Sequence, residues 1–80
     1  MPRFYFDLDN GDGLVRDQEG IELGDAAEAR DVAVRSARDV AASEIREGRG
    51  VSLSSFIAIR DGAASEIARV TFAEALRITP

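Results

Sequence analysis

Apolar side chains fall at every second position near both ends of this chain and at every third or fourth position in its middle. The middle stretch, Asp25 to Gly48, has a stripe of Ala26, Ala29, Ala33, Ala37, Val40 and Ala41, widened by Val34 and Ile45. That spacing predicts one long amphipathic helix. Asp25 with Glu28 three residues later forms a capping-box-like start, and Gly48 provides the stop. A helix of this length measures ~33 Å against ~23 Å for a strand of seven, so its end near Ala42–Glu47 is expected to overhang the sheet.

Either side of the helix the period is two. Phe4, Phe6 and Leu8 alternate with Arg3, Tyr5, Asp7 and Asp9, and the turn Asn10-Gly11-Asp12-Gly13 follows. Leu14 to Asp17 starts the return, Gln18-Glu19-Gly20 interrupts it, and Ile21 and Leu23 resume it. Beyond the helix, Val51 to Arg60 reads as a strand with Leu53, Ser55, Ile57 and Ile59 on one face and Phe56 and Ala58 on the other. Asp61-Gly62 signals a hairpin. Glu66 to Phe72 returns with Ala68, Val70 and Phe72 opposite Ile67, Arg69 and Thr71, and one helical turn is expected at the end. The predicted fold is a single α/β domain of the α+β type over residues 1–80. It is a two-layer ββαββ arrangement, with a mainly antiparallel sheet and one long helix on one face. The helix contributes mostly alanine, so the bulk of the core must come from the sheet. Tyr5, Phe56 and Ile67 then lie on the helix-free face as a candidate interaction surface.

Charge and composition narrow the chemistry. The net charge is −5, and residues 1–25 alone carry seven acids against two arginines. An acidic chain without a basic block is a poor phosphate binder, so no nucleic-acid partner is expected. All ten basic residues are arginine, and His, Cys, Lys and Trp are absent. That removes Ser-His and Cys-His pairs, thiolate chemistry, ordinary zinc sites, Schiff bases and the P-loop lysine. No run approaches the ~20 apolar residues of a membrane helix, and a cytoplasmic protein with no membrane partner is expected. Domains of this size bury only about 60% of their unfolded surface, which makes a homodimer plausible on stability grounds.

The acid-rich stretch Asp7 to Asp12 invites comparison with a calcium loop. Counting from Asp7, the fifth position is Gly11, the sixth Asp12 and the twelfth Gln18, where that loop requires an oxygen ligand, glycine and a bidentate acid. A solvated turn fits better. Asp7, Asp9, Asp17 and Glu19 are the one dense carboxylate group, but acid–base work needs a buried acid in a cleft, and these are predicted on a hairpin surface. Gly48-Arg49-Gly50 follows a helix where a phosphate loop would precede one. Ser52, Ser54 and Ser55 have no base partner. No catalytic residue, cofactor or metal site is expected.

Met1-Pro2-Arg3-Phe4-Tyr5-Phe6-Asp7, Asp17-Gln18-Glu19-Gly20-Ile21-Glu22-Leu23 and Val70-Thr71-Phe72-Ala73-Glu74-Ala75-Leu76 carry a resemblance over nearly the whole chain. With the Ala/Arg-rich helix between them, they resemble a family of short bacterial proteins, domain of unknown function 6894. Asp-x-Glu-Gly-x-Glu-Leu is its most distinctive segment. Members often have His where Asp7 stands here, and the resemblance implies no activity, ligand or catalytic residue. In topology alone the layout is also similar to the HicB-type antitoxin domain, though no appended DNA-binding segment accompanies it. The expected function is a non-catalytic protein-interaction or self-associating module. The alternatives are a HicB-like partner-binding domain, or a small-ligand or metal binder using the Asp7–Asp12 hairpin.

Overall fold

Asp25 caps the long helix as its spacing requires. In the computed structural model, which describes residues 1–79, helix α1 spans Ala26–Arg46. The Asp25 carboxylate accepts from the Glu28 amide at 2.9 Å. Glu28 reaches back to the amide of Gly24, one residue earlier than a standard capping box, also at 2.9 Å. Gly48, at φ +78°, takes the left-handed conformation that ends the helix.

Four strands precede and follow as expected in pattern, but the second is split. β1 is Arg3–Asp9, β2 Leu14–Val15, β3 Ile21–Glu22, β4 Phe56–Arg60 and β5 Glu66–Thr71, with a short helix α2 over Phe72–Leu76. The order across the sheet is β2-β1-β4-β5, and β3 also pairs with β1 on the β2 side. Every pairing is antiparallel. Thus β1 and β4 are central, each half of the returning strand holds one end of β1, and β5 forms the opposite margin.

The seam between layers is the predicted one, trimmed. Ala29, Ala33, Ala37 and Ala41 are fully buried and pack with Phe4, Leu23, Ile57, Ile59, Val70, Phe72 and Ala75. Ala26, in the first turn of α1, is exposed, and so is Ile45 in its last turn. Methyl-sized side chains let the helix backbone approach the branched residues of β4 and β5 closely. α1 lies over that half of the sheet and beside α2, where Arg38 Nε donates to the Ala75 carbonyl at 2.8 Å. Phe6 and Leu8, on β1, are therefore only partly covered.

Two local expectations fail for identifiable reasons, while the hairpin signalled by Asp61-Gly62 forms. Val51–Ser55 is a turn and not the start of a strand: the Ser55 amide donates to the Ser52 carbonyl, while Ser55 and Leu53 carbonyls accept from Phe72 and Ala73. Those carbonyls are thereby committed to the start of α2, and Leu53 faces solvent. The second hairpin turns over Asp61–Ser65, with Ala64 in the left-handed region at φ 66° and Gly62 outside it. The Asp61 carboxylate holds this turn by accepting from Ala63 and Ser65. Ala68 is exposed although it shares a face with Val70, since it sits at the margin of the sheet.

The alanine seam leaves no space for a larger group. Ala37→Trp is expected to overpack the interface by about 2–3 kcal/mol, lowering the thermal midpoint by roughly 10 °C or more in a circular-dichroism melt.

Candidate functional site

The sheet face away from α1 is charged, and its centre is a buried ion pair. Asp7, predicted on an exposed hairpin, is only 3% exposed. It lies across from Ala58 on β4, and Arg60 from the same strand closes over it. Arg60 Nε donates to Asp7 Oδ2 at 2.6 Å and Nη2 to Oδ1 at 3.2 Å. The same Nη2 donates to the Asp17 carbonyl at 3.1 Å, and the Asp17 amide donates to Asp7 Oδ1 at 2.9 Å. A bidentate guanidinium and a backbone amide thus satisfy a carboxylate that water does not reach.

Asp17 continues the network into the break between β2 and β3. At Phe6 the outer neighbour of β1 is missing, and Asp17 Oδ2 accepts from the Phe6 amide at 3.1 Å in its place. Asp17 Oδ1 accepts from Glu19 and Gly20, both at 3.1 Å. Gly20 sits at φ +70° hard against β1: a Cβ there would lie 2.8 Å from Tyr5 Cε2 and 2.9 Å from the Phe4 carbonyl. No side chain fits that gap, and the conformation favours glycine. Glu22 pairs with Arg3 at 3.3 Å, and Leu23 enters the core.

Two arginines lie over the aromatic rings of this face. Arg60 is stacked on Tyr5 with 5.0 Å from Cζ to the ring centre, and Arg69 on Phe56 at 3.9 Å. Both geometries are within cation–π range. Arg69 is also held by Glu66, at 2.9 and 3.0 Å. Residues three apart on a regular strand point to opposite faces. Here the register slips, Ile59 facing Ala68 while Arg60 faces Glu66. The extra residue, Ile67, brings Glu66 to the same side as Arg69.

Of the three residues proposed for an interaction surface, Tyr5 and Phe56 are half-buried beneath these guanidinium groups, and Ile67 is 43% exposed. Tyr5 pairs with Arg60 and Phe56 with Asp9, so four residues of strand, ~13 Å, separate the two rings. Ile67 lies at the Tyr5 end. Arg60 and Arg69, which shape this face, carry no sequence signal beyond their alternation with apolar neighbours.

The acidic hairpin is structured by its own side chains. Asp9 Oδ1 accepts from Gly11 and Asn10 Oδ1 from Asp12, each at 3.0 Å, which is Asx-turn geometry. Among the described residues no three acids converge as metal ligands, and Asp7, the first acid of that stretch, is taken up by Arg60. Between the hairpin tip, the end of α1 and the Gly50–Ser55 turn there is a recess of about 100 Å³. No helix of the described residues is long and apolar enough to cross a membrane.

The pairing sets the protonation of these groups. The Arg60 hydrogen bond holds the Asp7 carboxyl below its ordinary value, against the upward push of burial, and raises Arg60 in return. Near the end of α1, the hydrogen bond from Arg49 lowers Glu44 in the same way.

Compared with known families, residues 3–73 match the one described as domain of unknown function (DUF6894). The chain belongs to this family. No curated protein and no solved structure shows a significant match to it. The family-like segment Asp17 to Leu23 has a structural account at four of its positions: Asp17 as a stand-in for a strand, Gly20 as a close approach, Glu22 as a partner of Arg3, and Leu23 as core.

A carboxyl lowered by folding stabilises the native state above the ordinary aspartate value of ~3.9 and loses that contribution as pH falls through the folded value. Asp7→Asn is accordingly expected to be less stable than wild type at pH 7. The difference in urea midpoint should shrink steadily below pH 4. Asp7→Ala, which strands a nearby cation, is expected to cost roughly 3 kcal/mol at neutral pH. In Gly20→Ala, a clash and a left-handed alanine combine, and a loss of about 2 kcal/mol should appear in the same urea titrations.

Proposed function

We propose that this member of the family is a non-catalytic module that acts through protein contacts, pairing with a second copy of itself by its helix-free sheet face. The observation that carries this reading is the pair of arginine-roofed aromatics, Tyr5 with Arg60 and Phe56 with Arg69, with Ile67 exposed on the neighbouring edge strand. Tyrosine and arginine are the residue types over-represented at binding hot spots. Here Asp7 and Glu66 fix both guanidinium groups before any partner arrives, which reduces the ordering cost of association.

The non-catalytic part of the reading rests on the side chains available. The chain has no His, Cys or Lys, and the one buried side-chain carboxylate among the described residues is held by a bidentate arginine. A lowered carboxyl is the opposite of what a general acid at neutral pH requires.

Light scattering across the micromolar range is expected to give twice the 8.6 kDa chain mass. Ile67→Lys, placing a charge in the face, should raise the dimer dissociation constant roughly tenfold, equivalent to ~1.4 kcal/mol. A monomer mass throughout that range rejects self-association.

A further inference from the structure

The helix covers one half of the sheet. Its contacts run to β4, β5 and α2, which leaves the core-side face of β1, β2 and β3 with little above it. On that face Phe6 and Leu8 are only half-buried. Val15 stands directly opposite Leu8, and Ile21 directly opposite Phe4. Residues so opposed share a face, so both point to the side on which α1 lies. Yet Val15 is 60% exposed and Ile21 45%.

The near flank of α1 is apolar as well. Val40 lines one recess with Leu8, and Val32, two turns earlier, is half-buried like it. Val32 to Val40 measures ~12 Å along the helix. Ile21 and Val15 are set apart by the four residues of β1 from Phe4 to Leu8, ~13 Å. The two apolar rows are matched in length and bound an open groove with Phe6 on its floor.

The sheet side of this groove is acidic. Residues 1–25 hold seven acids against two arginines. Arg3 is paired with Glu22, and Arg16 lies near Asp7, which belongs to the opposite face. Asp12 stands at the end of the groove with Leu8 and Val40. α1 contributes both signs, so the imbalance comes from the strands and their loops.

We propose that this groove receives an amphipathic helix of a different protein, with its apolar stripe on Phe6, Val15, Ile21 and Val40 and basic residues alongside. A second helix beside α1 completes the layer that covers the sheet, and ~13 Å takes about nine residues of helix. An extended strand does not suit the place. The β2/β3 margin is interrupted by a loop, and the Phe6 amide there already donates to Asp17, so no continuous backbone ladder is offered.

A second copy is excluded on two grounds. Its α1 has the apolar stripe buried against its own sheet, and its α2 has five residues, held to α1 by Arg30 and Arg38. Neither helix is free to be donated. Laying groove on groove would instead bring two acidic margins together, which like-charge repulsion opposes. The same charge favours a basic partner. This assignment rests on the reading of the protein as a contact module and adds a second kind of partner. It uses the face opposite the one proposed for self-pairing, so both can be occupied at once.

Amide NMR of the labelled protein tests it with three synthetic peptides of about 15 residues. The first has leucine at helical spacing and lysine elsewhere. The second replaces lysine by glutamate, and the third scrambles the first to remove its period. Saturable shifts at Leu8, Val15, Ile21 and Val40 are expected with the first alone. Val15→Glu, at an exposed position, should weaken that peptide roughly tenfold by setting a carboxylate against its apolar stripe. Attraction by bulk charge would strengthen it instead. Absence of saturable shifts, equal binding of the scrambled or acidic peptide, or tighter binding by Val15→Glu overturns the proposal. Concentration-dependent shifts at Val15 and Ile21 in the protein alone also overturn it, giving the groove to a second copy. Light scattering on the same samples separates the two readings. A dimer that ignores the peptide removes only this groove, and a monomer that takes it removes only self-association.

Discussion

A single carboxylate out of reach of water organises half of this sheet. Asp7 takes two bonds from Arg60 on the neighbouring strand and one from the backbone of Asp17 on the other side. A charge in that position is tolerated only with its partners in place, so it fixes strand spacing and loop path together. Shifting β1 by one residue would drive Asp7 into the alanine seam and its phenylalanines out into solvent. The pair thus adds specificity of register to a core whose energy comes from elsewhere.

That energy comes from the layer beneath. Four buried alanines permit close approach of α1 to Ile57, Ile59 and Val70, and the helix is carried toward β4, β5 and the short α2. The remaining half of the sheet relies on different means: Asp17 takes the place of a missing strand, Gly20 lets the loop close on β1, and Arg3 clasps Glu22. The acids of the first hairpin region, which give the chain its excess negative charge, therefore do two jobs. Asp7, Asp9 and Asp17 hold backbone, while Asp12 stays free.

How much of this could be read in the chain depended on the distance between interacting residues. The helix, its Asp25 cap, the facing of Ile57 and Ile59, and the break at Gln18-Glu19-Gly20 all follow from local period and turn chemistry, and the structure contains them. The Asp7–Arg60 pair spans 53 positions, and in the sequence both residues simply occupy the polar phase of a strand. Local alternation puts Asp7 at the surface and gives no sign of its burial. Val51 to Ser55 has the alternation of a strand, yet its carbonyls are claimed by the start of α2, a tertiary demand that no local pattern expresses. The recess near Ser55 draws on five separate segments, and only the unremarkable triplet of serines pointed there. At Ile67 the alternation was legible, whereas the slipped register that puts Glu66 beside Arg69 was not.

The two margins of the sheet are unlike, and this limits how large an assembly can grow. On one side the two-residue strands β2 and β3 flank a loop, leaving no continuous backbone ladder for a neighbour to extend. On the other, β5 offers six residues in a row. A molecule with one extendable margin can join a like molecule across a two-fold axis, and the joint then uses up both available edges. Growth into fibres by edge-to-edge addition is closed to it by construction.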